Sequence, residues 1–212
     1  MIQQRTDEWL KARLGKLTGS IAFDAIAVLK SGKGESQAKA NVRLRLLAEM
    51  LTGSSSPYFE SNAMKWGTQC EEEARIAYET ETNQKVEEAP FYDCPSMPMC
   101  GASPDGLVGN HGLIEIKCPE TTTFIGYVLA DEVPDKYKPQ MAMQLLATGR
   151  KWVDFVAFDP RVKCGKNIFI KRYYPSITEL ADYKEKFMDF RKTVDDMYEL
   201  FLSKSKVDAI PF

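Results

Sequence analysis

Two spacings of apolar residues divide the 212-residue chain. In "TDEWLKARLG" they recur at helical intervals, with Thr6 or Asp7 as N-cap, acids in the first turn and Gly15 as the stop. A second helix is expected over "IAFDAIAVLK", opened by Ser20, whose hydroxyl either caps the helix or helps its free N–H groups hold a phosphate. "SGKGESQ" reads as a basic loop, Lys39 to Leu51 as a third helix ended by Gly53, and "SSSPYFESNAM" as loop. "MKWGTQCEEEARIAYETETNQ" then reads as a helix of about four turns. From Lys85 the texture turns to β. "KVEEAPFYD" is expected as a strand, "PMCGASPDGLV" and "GLIEIKCP" as a hairpin, and "WVDFVAFDP" and "NIFIKRYYP" as further strands. "YKPQMAMQLLATGR" interrupts them as a helix ended by Gly149. Ser176 to Lys204 is a long amphipathic helix that buries Leu180, Phe187, Phe190, Val194, Met197 and Phe201. This order predicts one α/β domain with a mixed central sheet and helices on both sides.

Composition narrows the class. Apolar content of 44% and charged content of 27% are ordinary for a globular protein. No apolar run approaches the roughly 20 residues of a membrane span. The charged N-terminus lacks the apolar stretch of a signal peptide, so a cytoplasmic location is expected. Five cysteines, an odd number with no CxxC pair and only His111 to assist them, read as reduced, scattered thiols. The formal net charge of −2 does not advertise nucleic-acid binding, yet charge is unevenly placed. Lys30, Lys33, Lys39, Arg43 and Arg45 face one acid, Glu35, whereas seven acids between Glu71 and Glu88 face only Arg75 and Lys85. The molecule is expected to be electrically two-sided, although each run taken alone also fits a solvated helix face.

The stretch "GASPDGLVGNHGLIEIKCPE" concentrates the chemistry. A turn over Gly109 to Gly112 pairs Val108 with Leu113 and brings Asp105 and Glu115 opposite each other to within one residue. Two carboxylates that close repel, unless one is protonated or a cation neutralises them. With oxygen ligands only, Mg²⁺ or Mn²⁺ suits the pair better than zinc. Strand alternation puts Lys117 on the face of Glu115 and turns Ile114 and Ile116 into the core. Metal, carboxylates and an ammonium together suit phosphodiester hydrolysis. From spacing alone, a surface hairpin with an incidental Glu–Lys pair fits as well, because "PDG" is also ordinary turn chemistry.

"SPDG" followed by "IEIK" resembles the PD…(D/E)xK nuclease signature. With "WLKARLGKLTGS", "WGTQCEEEAR", "GASPDGLV", "LIEIKCP", "YKPQMAMQLLATG" and "DFVAFDPRVK" in order, the chain resembles the phage lambda exonuclease or YqaJ-type viral recombinase family over nearly its whole length. The resemblance implies a restriction-endonuclease-like core over residues 61–175, an N-terminal helical DNA-contacting part over 1–60, and a C-terminal helix and tail over 176–212, all in one exonuclease domain. It implies that Asp105, Glu115 and the carbonyl of Ile116 bind Mg²⁺, with Mn²⁺ able to substitute. Lys117 becomes the catalytic lysine, Glu71 reaches a second metal or its waters while Glu72 and Glu73 face solvent, and Gln140 supports the site. Arg13, Ser20 and Ser103 match a pocket for a terminal 5′-phosphate, where a guanidinium and hydroxyls suit the anion. The family places a further arginine in that pocket; Thr123 stands there in this chain, which leaves Lys30 or Lys33 to reinforce the grip. Met64 matches an apolar residue that wedges the duplex end, and it equally fits ordinary packing.

The resemblance further implies a Mg²⁺-dependent 5′-to-3′ exonuclease that digests one strand of linear duplex DNA to mononucleotides. The product is a 3′ overhang for strand annealing in phage recombination. It implies a homotrimeric ring, a single-strand annealing partner and a phage or prophage gene acting in the bacterial cytoplasm. A basic inner wall would fit a net charge near zero. Two alternatives share parts of this picture. A PD-(D/E)xK endonuclease or CRISPR adaptation-type nuclease keeps the core, but the cluster-binding cysteines usual in the latter are not in that arrangement here. A non-catalytic DNA-end-binding protein would be expected to have lost an acid or the lysine, and Glu71, Asp105, Glu115 and Lys117 are all present.

Overall fold

The structure, a computed structural model, describes residues 4–29, 34–55 and 62–205, without the side chains of 62–64. It opens with α1 (Asp7–Arg13), capped by the Thr6 hydroxyl, which accepts from the Trp9 N–H. A short strand, β1 (Leu17–Thr18), leads into a 3₁₀ turn over Gly19–Ile21 and the four-residue α2 (Ala22–Ala25). Ser20 therefore caps no helix, in contrast to the expectation; its hydroxyl turns to a side chain of α1 instead. Next come α3 (Gln37–Thr52), capped by Ser36 and ended by Gly53 at a φ of 63°, and α4 (Asn62–Thr82). At 21 residues α4 starts two residues before the expected position, so that Asn62 and Ala63 are helix rather than loop.

"KVEEAPFYD" forms two separate strands, β2 (Val86–Glu87) and β3 (Tyr92–Asp93). The expected first arm of the hairpin likewise divides into β4 (Cys100–Ala102) and β5 (Gly106–Val108), and only β5 pairs with β6 (Gly112–Lys117). After β6 come α5 (Thr121–Ala130), α6 (Lys138–Thr148), β7 (Trp152–Phe158), β8 (Ile168–Tyr173) and α7 (Ile177–Ser205). The pattern along the chain did not foretell α5. Its threonines are weak helix formers, and burial of Phe124 against the sheet outweighs that propensity.

Strands β2-β5-β6-β7-β8 make the main sheet, mixed because β6 and β7 run parallel while the other pairs are antiparallel; β1-β4-β3 make a second, smaller one. Both faces of the main sheet are covered, which is why β6 and β7 read as nearly continuous apolar runs. Ile114, Ile116 and Val156 pack against Cys70, Ala74 and Tyr78 of α4. Leu113, Phe155 and Ala157 on the opposite face pack against Phe124 of α5 and Met141 and Leu145 of α6. A third cluster joins α2, α3, β4, α6 and α7 around Leu46, Met143, Phe187 and Phe190. All five cysteines are free, and among the described residues no helix is long and apolar enough to cross a membrane.

Candidate active site

The hairpin register differs by one residue from the expected one. Val108 pairs with Gly112 and Gly106 with Ile114, so a three-residue turn over 109–111 replaces the longer one. Asp105 stands at a bend one residue beyond the last pair, Gly106 with Ile114, and so beside Glu115. Gly106 is required beside it, because a Cβ there would stand 2.2 Å from Val86 Cγ1 of β2. The Asp105 N–H donates to the Ile114 carbonyl at 3.2 Å, and its Oδ2 accepts from the Ile116 N–H at 2.7 Å, which turns the carboxylate toward β6.

Glu115 is 0% exposed. A carboxylate without solvent needs partners, and two side chains supply them. Gln144 of α6 donates its amide to Oε2, and the Lys117 ammonium pairs with Oε1. Burial and the Glu115 charge hold the Asp105 carboxyl well above the ordinary aspartate range. Burial pulls the Lys117 amine down, but the Glu115 and Asp105 carboxylates outweigh it and the net direction is up. One lysine thus serves two acids, Glu115 by direct contact and Asp105 through its field. These oxygens suit a hard divalent cation, which Asp105, Glu115 and the backbone carbonyl of Ile116 could hold.

Glu71 lines the same cavity as Asp105, of about 530 Å³ with Gln4, Arg5, Thr68 and Arg75 in its wall. Its carboxylate is engaged by Arg5, and Arg75 lies 3.9 Å away. Accordingly, among the described residues no three Asp, Glu, His or Cys converge as a metal cluster. Glu72 and Glu73 are exposed, as expected. Arg75, which sequence reasoning did not single out, also donates to the Asp105 carbonyl at 3.3 Å and so braces the loop that carries that acid.

The glutamine on Glu115 is Gln144, not Gln140. Gln140, one turn earlier on α6, packs against Gly19, where a Cβ would meet its carbonyl oxygen at 3.3 Å. The two are four residues apart on one helix face, so spacing fits either.

Arg13, Ser20 and Ser103 do converge. The guanidinium donates to Ser103 Oγ at 3.3 Å, Ser20 Oγ at 3.1 Å and Thr18 Oγ1 at 3.3 Å, and lies 4.1 Å above the Trp9 ring. Trp9 Nε1 also donates to Ser103, at 2.9 Å. Thr18 and Trp9 are additions to the expected set; the four-residue offset of Trp9 from Arg13 on α1 was the available signal. Gly15, at a φ of 66°, makes the turn behind Arg13, fixed by Glu49, which accepts from its N–H, and Arg191, which donates to its carbonyl. Ser103 and Asp105 lie two residues apart, so one loop serves both the arginine pocket and the acid pair. Lys30 and Lys33 fall outside the described residues, as does the side chain of Met64 in the first turn of α4.

The model of the YqaJ-like viral recombinase domain matches residues 8–151. The chain is similar to an alkaline exonuclease from Laribacter hongkongensis, LHK-Exo, at 34% identity and a TM-score of 0.86 over 94% of this chain and 98% of that one. The crystal structure of LHK-Exo in complex with dAMP gives the same identity and coverage and a TM-score of 0.87. A phage-related exonuclease from Haemophilus somnus, 14% identical over 90% of this chain and 96% of that one with a TM-score of 0.63, shares the fold. No curated protein sequence matches. With the PD-(D/E)xK fold, the buried acid pair and the lysine all in place, the chain belongs to the YqaJ-like viral recombinase family of exonuclease-type, metal-dependent nucleases.

Proposed function

We propose that the protein is a Mg²⁺-dependent exonuclease that digests one strand of linear duplex DNA from a 5′-phosphorylated end and releases mononucleotides. The observation that carries this is the 103–105 loop, which gives Ser103 to the Arg13 guanidinium and Asp105 to a buried acid pair. Their Cα atoms are at most about 7 Å apart. A terminal phosphate held by Arg13, Ser20 and Ser103 therefore sits close to the point where the next linkage meets Asp105, Glu115 and Lys117. Such spacing suits removal of one nucleotide at a time. The dAMP held by LHK-Exo is a product of that kind.

When bound, a divalent ion would neutralise the carboxylates, acidify a water and screen the phosphoryl charge. The chain's own groups do the rest. Gln144 fixes Glu115, the Ile116 N–H fixes Asp105, and the Lys117 ammonium, held by Glu115, stands ready to stabilise charge on the phosphoryl oxygens. Glu71, paired here with Arg5, would be the residue to reach a second ion or its waters. Lys30, Lys33 and Met64 are assigned to the approaching duplex. In this proposal the chain acts as a ring-shaped homotrimer around its substrate and hands the 3′ strand to a single-strand annealing protein during phage recombination in the host cytoplasm.

The test is digestion of linear duplex labelled at each 5′ or 3′ end in turn. Mononucleotides should leave from 5′-phosphorylated termini with Mg²⁺, and covalently closed circles should resist. Cleavage of closed circles would replace this assignment by an endonuclease.

A further inference from the structure

Next to Lys117 stands a second polar cluster that neither the metal nor the arginine pocket uses. Tyr127 of α5 and Tyr137, immediately before α6, bring their hydroxyls within 3.5 Å of each other. Both rings are held by the fully buried Phe155 of β7, Tyr127 edge-on at 5.6 Å between centroids and Tyr137 stacked at 5.2 Å. The Lys136 amine lies over both, 5.8 Å from the Tyr127 centroid and 4.8 Å from that of Tyr137, and interacts with both hydroxyls. On the same Tyr137 ring the Lys117 amine stands at 5.2 Å. Of the acids on the connecting segment, Asp135 pairs with Lys138 and Asp131 with Lys171, while Glu132 is exposed. Among the described residues no carboxylate pairs with Lys136.

Two phenol O–H donors and an exposed ammonium, with no paired carboxylate, form a receptor for an anion. Through the shared Tyr137 ring it adjoins Lys117, the amine beside the acid pair. We propose that Tyr127, Lys136 and Tyr137 grip a backbone phosphate of the DNA strand flanking the scissile linkage. This assignment rests on the nuclease function proposed above. The packed rings hold the hydroxyls in place before substrate arrives, so little side-chain freedom is lost on binding.

The test is binding of fluorescently labelled duplex with metal chelated, so that nothing is cut, across a salt series. Lys136→Gln should weaken binding roughly tenfold at low salt and lower the slope of log affinity against log salt by about 0.9, one phosphate contact. Lys136→Arg should keep the native slope. Tyr127→Phe with Tyr137→Phe should weaken binding without changing the slope, because hydroxyls are lost and charge is not. Lys192→Gln, a matched loss of one exposed charge on α7, should leave the slope unchanged. A native slope in Lys136→Gln, or an equal loss in Lys192→Gln, overturns the subsite while the nuclease function stands. Failure of the native protein to bind or cut duplex overturns both.

Discussion

The side-chain amide of Gln144 donates to Glu115 Oε2, at a carboxylate that no solvent reaches. An ionised carboxylate only accepts, so the amide nitrogen must face it, and the glutamine fixes the acid's rotamer from a neighbouring helix. Gln144→Leu should lower Mn²⁺ affinity and turnover by about 10- to 100-fold, as loss of a partner that orients a ligand typically does. Calorimetric titration with Mn²⁺, beside circular dichroism to verify the fold, checks this. Unchanged metal affinity would remove Gln144 from the site.

The facing acids Asp105 and Glu115 make the native state receptive to a cation. At 100 times its dissociation constant, bound metal contributes about 2.7 kcal/mol, which for a chain of this size raises the melting temperature by about 5 to 10 °C. Asp105→Asn should abolish both that shift and DNA hydrolysis. A melting scan with and without Mn²⁺ measures the first, and chelation should return the native protein to its metal-free value.

Arg13 touches three hydroxyls at once through both terminal nitrogens. A lysine offers a point charge without that fork. Arg13→Lys should therefore lose most of the preference for phosphorylated over hydroxyl 5′ ends, by about tenfold or more, while cutting of hydroxyl ends changes little. The ratio of initial rates on the two substrates decides it; a ratio equal to that of the native enzyme would displace Arg13 from the pocket.

Asp159, 0% exposed at the end of β7, accepts from Thr121 and from the N–H and guanidinium of Arg161. Burial alone would raise its carboxyl, but those bonds outweigh it and hold it below the ordinary range. A depressed folded-state pKa contributes stability above the unfolded value of about 3.9, and that contribution disappears as the pH falls through the lower, folded value. Asp159→Asn should cost about 1 to 3 kcal/mol at neutral pH, with the difference from the native protein shrinking below about pH 4. Urea titrations at pH 7 and pH 3 provide the comparison.

Local rules reach a long way in this chain. Apolar spacing located α3, α6, α7 and the two long strands β7 and β8, because each buries a stripe or a continuous run, whereas α1, which buries no residue, was marked by its cap and first-turn acids. Acid, acid and lysine around a glycine turn pointed to metal chemistry because strand alternation alone puts Glu115 and Lys117 on one face. Long-range packing decided the rest. Whether Gln140 or Gln144 meets Glu115 depends on how α6 is rotated against the sheet, and both satisfy the same helical period. Ser20 became a partner of Arg13 rather than a cap, since α1 and β4 arrive beside it from elsewhere in the chain. The helix α5 was hidden by its threonines until Phe124 found its place under the sheet. The sequence alone carried the reacting groups; only tertiary packing could determine which neighbours hold them, because those neighbours meet through the rotation and docking of whole elements.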